Sequence, residues 1–358
     1  MAEQRKKALI GMSGGVDSTV AAYLMQQAGY DCTGATMQLF YPAETAFGGS
    51  CGTNAGIADA KAVAERLGMP HIVLHCETAF AETVIADFVR TYEQGGTPNP
   101  CIVCNFYLKF GEMAKAAKQL NCDTIVTGHY AKVDRCPETG RYLLQRAADA
   151  EKDQSYFLYR LTQEQLSQIQ FPLGVYHKKE IRKLAAEQGF VSADRKESQD
   201  ICFIPDGDYV AFLERYTGKS YPKGAFVDLQ GNRLGTHQGI IRYTIGQRKG
   251  LGLALQTPHY VCEKRAAENA IVLGENQDLM QQTLVAHQLN WIAKTGLPEP
   301  IRLQAKIRYR HSAAWAVVQQ TAPDTLQVTF DEPQRAITPG QAVVLYDGDT
   351  VVGGGVIA

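Results

Sequence analysis

The chain has 358 residues, 45% hydrophobic and 20% charged, with a formal net charge of −1. That is enough chain for two or three domains of ordinary globular composition. It excludes a globally basic nucleic-acid binder, so any RNA must be held by local basic patches. Met1 to Lys7 is polar and basic, and the apolar run behind it breaks at Gly14-Gly15. Neither a signal peptide nor a membrane span is predicted. Nine cysteines without an export signal point to a reducing cytoplasm.

The first element is an apolar run, Ala8 to Met12, that reads as a buried strand. Ser13-Gly14-Gly15-Val16-Asp17-Ser18 follows, and Thr19 to Met25 reads as a helix. A glycine-rich turn between strand and helix is an anion site: its N–H groups point at the ligand and the helix dipole favours negative charge. Asp17 would repel a phosphate unless a cation stands between them, which suggests Mg²⁺. The spacing is not of the Walker type, since no Gly-Lys-Ser/Thr follows. The loop resembles the SGGxDS motif of the PP-loop ATP pyrophosphatases. That resemblance implies cleavage of ATP between the α and β phosphates, with AMP passed to a substrate oxygen.

Further strands are predicted at Thr33–Leu39, His71–His75 and Thr124–Thr127, with helices over Ile57–Leu67, Ala79–Tyr92 and Phe106–Leu120. The alternation predicts an α/β fold, a doubly wound, mostly parallel sheet. Ligands of such sheets bind at the carboxyl ends of the strands. The loop at 13–18, Met37-Gln38 and Gly128-His129-Tyr130 all fall there. Gly95–Pro100 interrupts the pattern and delivers Cys101-Ile102-Val103-Cys104-Asn105 into a helix; Ser192–Asp208 is a second irregular stretch and carries Cys202. Residues 217–260 read as a small domain of short strands and turns. From about Leu284, strands at Ile301–Tyr309, Ala314–Gln319, Thr325–Phe330, Gln341–Tyr346 and Val351–Ile357 suggest a small β-barrel. The expected domains are 1–209, 210–281 and 282–358.

Pro100 suits the first position of a helix. A thiol on that first turn meets the positive end of the dipole, which lowers its pKa, so Cys104 is a plausible nucleophile. Only one CxxC pair is present, which argues against an ordinary zinc ribbon. Cys32, Cys76 and Cys122 lie in or beside apolar runs and read as small buried hydrophobes, and the same reading applies to Cys136 and Cys262. The loop Phe47-Gly48-Gly49-Ser50-Cys51-Gly52 reads as a surface turn.

Taken together, Gly11–Ser18, Asn99-Pro100, Cys104-Asn105, Thr127 to Tyr130, Lys152 to Tyr156, Ser198 to Ile204 and Tyr243 to Gly252 resemble the tRNA-specific 2-thiouridylases over nearly the whole chain. The resemblance implies a PP-loop domain, a central domain and a C-terminal β-barrel. It also implies ATP-dependent transfer of sulfur to C2 of the wobble uridine 34, in lysine, glutamate and glutamine tRNAs. By the same resemblance Gly11, Met12, Ser13, Gly14, Gly15, Val16, Asp17 and Ser18 hold the ATP phosphates, and Met37 and Gly128 line the adenosine site. Cys202 carries a persulfide supplied by a cysteine-desulfurase-derived sulfur-relay protein. Cys104 assists release and is left in a Cys104–Cys202 disulfide. Asn99, Pro100 and Cys101 face the target base, and a monomer is expected.

Many relatives have Asp where this chain has Cys101. Three thiolates, Cys101, Cys104 and Cys202, would suit a [4Fe–4S] cluster with one open iron, an alternative route for sulfur. Cys101 as a small tolerated neighbour is the competing reading. A PP-loop amidotransferase or synthetase is the rival function, although it leaves the cysteine pair without a task.

For RNA, residues 233–265 carry Arg233, Arg242, Arg248, Lys249, Lys264 and Arg265 against Glu263, with Tyr243 among them. This reads as a surface that neutralises phosphates. Lys306-Ile307-Arg308-Tyr309-Arg310-His311 repeats the theme. The resemblance assigns tRNA contacts to His129, Lys152, Asp153, Gln154, Arg308, Tyr309 and Gln341.

Overall fold

The computed structural model describes residues 5–40, 54–190 and 201–358. The Cys51 loop and Ser198 to Asp200 lie outside the described residues. The chain divides into two compact units, one of Met1–Val84, Pro100–Gly207 and Asp349–Val351, the other of Ile85–Asn99, Asp208–Gly348 and Val352–Ala358.

The first unit holds a five-stranded sheet of β1 (Lys7–Gly11), β2 (Asp31–Gln38), β3 (His71–His75), β4 (Thr124–Val126) and β7 (Ile169–Gln170). Its order is β3-β2-β1-β4-β7, and every pairing is parallel. The central strands are apolar because helices cover both faces; Ala8, Leu9, Ile10, Ile125 and Val126 are buried. The order reverses between β1 and β4, so the crevice at their carboxyl ends is where a doubly wound sheet takes its ligand. Helices α1 (Val16–Gln27) and α2 (Asn54–Arg66) occupy the crossovers. A hairpin of β5 (Lys132–Arg135) and β6 (Tyr142–Gln145), not anticipated from sequence, follows β4.

Two predicted helices are less regular than their apolar periodicity suggested. The first, α3, runs through Glu77–Ala79, Phe80–Ile85 and Ala86–Glu93, and α4 through Pro100–Cys104, Asn105–Glu112 and Met113–Gln119. The middle stretch of each is wound as a wider π-helix, a form associated with functional sites. Helix α5 (Lys178–Glu187) closes the unit beside α1.

In the second unit, β8 (Gly224–Val227), β9 (Arg233–His237), β10 (Tyr260–Arg265) and β11 (Ala270–Gly274) form a sheet of order β10-β11-β8-β9. Six longer strands make the barrel: β12 (Met280–Trp291), β13 (Ile301–Lys306), β14 (Ala314–Ala322), β15 (Thr325–Arg335), β16 (Ala342–Asp347) and β17 (Thr350–Ile357). Their order is β12-β15-β14-β13-β16-β17, and pairing of β12 with β17 closes the ring. Closure removes the exposed edges that a sheet must otherwise protect. Alternate residues such as Leu303, Ala305, Ala316, Val318, Leu326 and Val328 fill the interior. Among the described residues no helix is long and apolar enough to cross a membrane.

Candidate nucleotide and sulfur-transfer site

The loop after β1 is held from three directions. Thr36 Oγ1 donates to the Met12 carbonyl at 2.9 Å and lies 2.8 Å from His71 Nε2, fixing the strand end on one side. Ser18 Oγ accepts from the Ser13 amide at 3.2 Å and donates to the Gly15 carbonyl at 3.1 Å, so the loop bonds across itself. Gly14 has φ of +73°, and a Cβ there would stand 2.8 Å from that of Asp59, so both conformation and space require glycine. Gly15 caps α1, which begins at Val16 rather than at Thr19. Val16, Asp17 and Ser18 therefore form the first helical turn, and their side chains are set by helix geometry. Gly11 backs onto the side chains of Met113 and Thr127. Met37 lies near the end of β2, paired with Leu74 of β3.

From the other lip of the crevice comes the turn after β4. Gly128 packs against Asp17 and Ser18. Tyr130, buried, donates its hydroxyl to Asp17 Oδ1 at 2.9 Å. A residue the sequence reading missed completes this cluster. Lys178, the first residue of α5, donates to Asp17 Oδ1 and Oδ2, each at 2.7 Å. The carboxylate of Asp17 is thus paired with an ammonium group. Lys178 sits in Lys178-Lys179-Glu180, which reads as a solvated helix start, and carries no local signal of this role. Among the described residues no three His, Cys, Asp or Glu gather as a protein-held metal needs.

Cys101, Cys104 and Cys202 are all described, and they do not form a three-ligand group. Cys101 is exposed and Cys104 is buried, on one turn of α4. The two stand three positions apart, a spacing that places side chains on neighbouring parts of one helix face. As the three stand in the structure they do not gather as cluster ligands, and no step is derived through a cluster. Cys104 is succeeded by buried Asn105, whose amide donates to the Phe157 carbonyl at 3.2 Å. Cys202 is half-buried in a turn closed by the Ile204 amide on the Ile201 carbonyl at 2.9 Å. Phe203 anchors that turn, edge-on to Phe80 with ring centroids 5.4 Å apart. Both cysteines belong to the unit that carries the glycine-rich loop.

Comparison with known proteins agrees with this layout. The family model described as tRNA methyl transferase HUP domain matches residues 6–206, the tRNA methyl transferase PRC-barrel domain residues 210–275, and the aminomethyltransferase beta-barrel domain residues 281–357. A tRNA-specific 2-thiouridylase MnmA of Clostridioides difficile is 47% identical over 353 residues, covering 98% of each chain. That of Koribacter versatilis is 46% identical over 359 residues, covering 97% of each. The chain belongs to the tRNA-specific 2-thiouridylase family. A 4-thiouridine synthetase solved with RNA and ATP is 17% identical, with a TM-score of 0.36, covering 59% of this chain and 50% of that one. That likeness is too slight to add to the assignment.

As a 2-thiouridylase family member the chain must meet RNA, and the structure sorts the residues expected there. Asp153 is buried and accepts from the amides of Ala147 and Ser155 and from the Ser155 hydroxyl. Gln154 accepts from the Tyr130 amide, and its own amide donates to the Tyr130 carbonyl. Lys152 is half-buried. His129 is buried, 2.7 Å from Thr127 Oγ1 through Nδ1, with its ring among Phe110 and Phe171. Burial lowers its pKa well below the usual value, with Lys109 adding to the effect.

In the second unit, Arg308 donates to the carbonyls of Ile245 and Ala336 and to Thr338 Oγ1. Lys306 lies over the ring of Tyr309. Gln341 Nε2 donates to the carbonyls of Thr97 at 2.9 Å and Pro98 at 3.2 Å, the two residues before Asn99.

The basic stretch 233–265 is less basic than its composition implied. Arg242 pairs with Glu214, and Arg265 with Glu263 and Glu268. The ammonium of Lys264 is buried over Tyr92, and burial lowers its pKa to about 8. Tyr243 is buried, edge-on to Phe226 and His237, and does not stand among the charges. Arg233, bonded to Thr236 on its own strand, and Arg248 and Lys249 are exposed.

Proposed function

We propose that the protein uses ATP to activate the C2 oxygen of the wobble uridine of tRNA and replaces that oxygen with sulfur. The observation that carries this reading is the glycine-rich loop at the β1/β4 switch point, in the same compact unit as Cys104 and Cys202. Backbone N–H groups of residues 11–18 at the start of α1 bind phosphates, with Mg²⁺ entering as the nucleotide chelate. Met37 and Gly128 line the adenosine site, and Asn99, Pro100 and Cys101 the target-base pocket.

The uridine oxygen attacks the α-phosphorus and pyrophosphate leaves. This converts a carbonyl oxygen, a poor leaving group, into AMP. A persulfide on Cys202, loaded by a sulfur-relay protein, attacks C2 through its terminal sulfur, and AMP leaves. The Cys104 thiolate then attacks the Cys202 sulfur. The sulfur–sulfur bond to the RNA breaks, 2-thiouridine is released, and a Cys104–Cys202 disulfide remains to be reduced by an external thiol. Arg248 and Lys249, with Lys152 and Tyr309, supply phosphate and base contacts. The substrates are the lysine, glutamate and glutamine tRNAs, and the site works as a monomer in the cytoplasm.

The test is incubation with ATP, unmodified tRNA and a persulfide donor, followed by mercury-affinity electrophoresis of the RNA. Retarded tRNA is expected with the wild-type protein and none with Cys104→Ser or Cys202→Ser. Thiolation that survives either substitution would overturn the role of that residue.

A further inference from the structure

The phosphate loop carries a carboxylate where an anion is to bind. In the structure that carboxylate is not a bare charge. Asp17 is about one-third exposed, while the Lys178 side chain behind it is 7% exposed and lies 2.7 Å from both carboxylate oxygens. Tyr130 joins them, with its hydroxyl on Asp17 Oδ1 and its ring 5.6 Å from the ammonium. Lys178 is itself tethered, since its amide donates to Asp149 Oδ2 at 2.9 Å. Three segments distant in sequence thus converge on one side chain of the loop: the first turn of α1, the turn after β4 and the start of α5.

We infer that Lys178 is a positioning residue of the nucleotide site, and that Asp17 is its counter-ion and not a ligand for Mg²⁺. The physical argument is charge balance. A buried ammonium is costly unless paired, and removing one partner of such a pair leaves the other uncompensated. Asp17 and Lys178 together are neutral, so a polyphosphate can approach the loop without repulsion. Mg²⁺ on this carboxylate would stand against an ammonium that already lies 2.7 Å from both oxygens, and the two cations would repel each other. The clamp also sets the loop before the nucleotide arrives, so that little ordering remains to oppose binding.

The inference rests on the reading that the loop binds ATP, and it makes a prediction of sign. ATP binding is measured by equilibrium dialysis with Mg²⁺ in the wild type, Lys178→Met, Asp17→Asn and the double variant, with thermal unfolding as the check on folding. Lys178→Met exposes an unbalanced carboxylate and should weaken ATP binding roughly tenfold or more. Asp17→Asn leaves the ammonium unbalanced beside the loop and should tighten ATP binding about threefold, with the half-saturating Mg²⁺ concentration unmoved. Adding Asp17→Asn to Lys178→Met should restore most of the loss, because the pair is again neutral. A purely structural role for Lys178 predicts no such rescue.

A double variant that binds as weakly as Lys178→Met, or an Asp17→Asn protein that demands markedly more Mg²⁺, would overturn the inference and leave the ATP reading standing. A wild-type protein that binds no ATP brings down both. If Lys178→Met does not fold, the Mg²⁺ titration of Asp17→Asn decides alone, with Lys178→Arg expected to bind within about threefold of wild type.

Discussion

Gly128 stands so close to Asp17 that a methyl group on its α-carbon would lie 2.8 Å from the Asp17 carbonyl carbon and 2.8 Å from the Ser18 amide nitrogen. Both neighbours are backbone atoms of the first turn of α1, which cannot rotate away as a side chain can. Gly128→Ala must therefore push the turn after β4 away from the phosphate loop. A loss of about 1–3 kcal/mol in stability is expected, typical of overpacking, together with roughly tenfold weaker ATP binding. Urea denaturation and equilibrium dialysis measure the two. Wild-type values in both would show that the loops give way freely.

His129 couples stability to pH. Burial depresses its pKa in the folded protein, so as the pH falls the unfolded chain takes up the proton first. The stability held above the unfolded value, about 6.5, is lost as the pH falls through it toward the folded value. Between about pH 7 and about pH 5.5 the urea midpoint should fall more steeply for the wild type than for His129→Gln. Parallel slopes would remove His129 as the source.

Gln341 joins the barrel strand region to the segment before Asn99 through two carbonyls more than two hundred positions earlier in the chain. Gln341→Ala leaves both acceptors without that donor and should cost about 1–2 kcal/mol of stability in the absence of any RNA. Chemical denaturation of the protein alone checks this. An unchanged midpoint, with only tRNA affinity reduced, would assign Gln341 to RNA instead.

The cysteines should separate by reactivity. Cys101 is exposed, whereas Cys32 and Cys76 are buried and burial pushes their thiols up to about 11. Only the thiolate reacts, so brief treatment with iodoacetamide near neutral pH should label Cys101 well before Cys32 or Cys76. Peptide mass spectrometry gives the order. Early labelling of Cys32 or Cys76 would contradict the packing around them.

Much of the first unit could be read from the chain because its signals are local. The run at His71–His75 is a strand at the predicted bounds, and β1, β2 and β4 begin or end within two residues of expectation. Two-residue β7 has no periodicity to read; it exists because Ile169 and Gln170 meet β4. The π-helical turns of α3 and α4 likewise leave no mark on a pattern of apolar spacing. The basic patch at 233–265 misled for a related reason. A count of lysines and arginines includes Arg242, whose partner Glu214 is far off in sequence, and Lys264, whose charge is buried.

By itself the sequence determined the parallel sheet, the glycine-rich turn between β1 and α1 and the family, since each rests on short runs of residues adjacent in the chain. Tertiary structure alone decided what stands beside that loop. Lys178 reaches Asp17 across 161 positions, and Gly128 and Tyr130 arrive from another strand. A charge pair or a close backbone approach is a matter of distance in space, and chain order does not encode it.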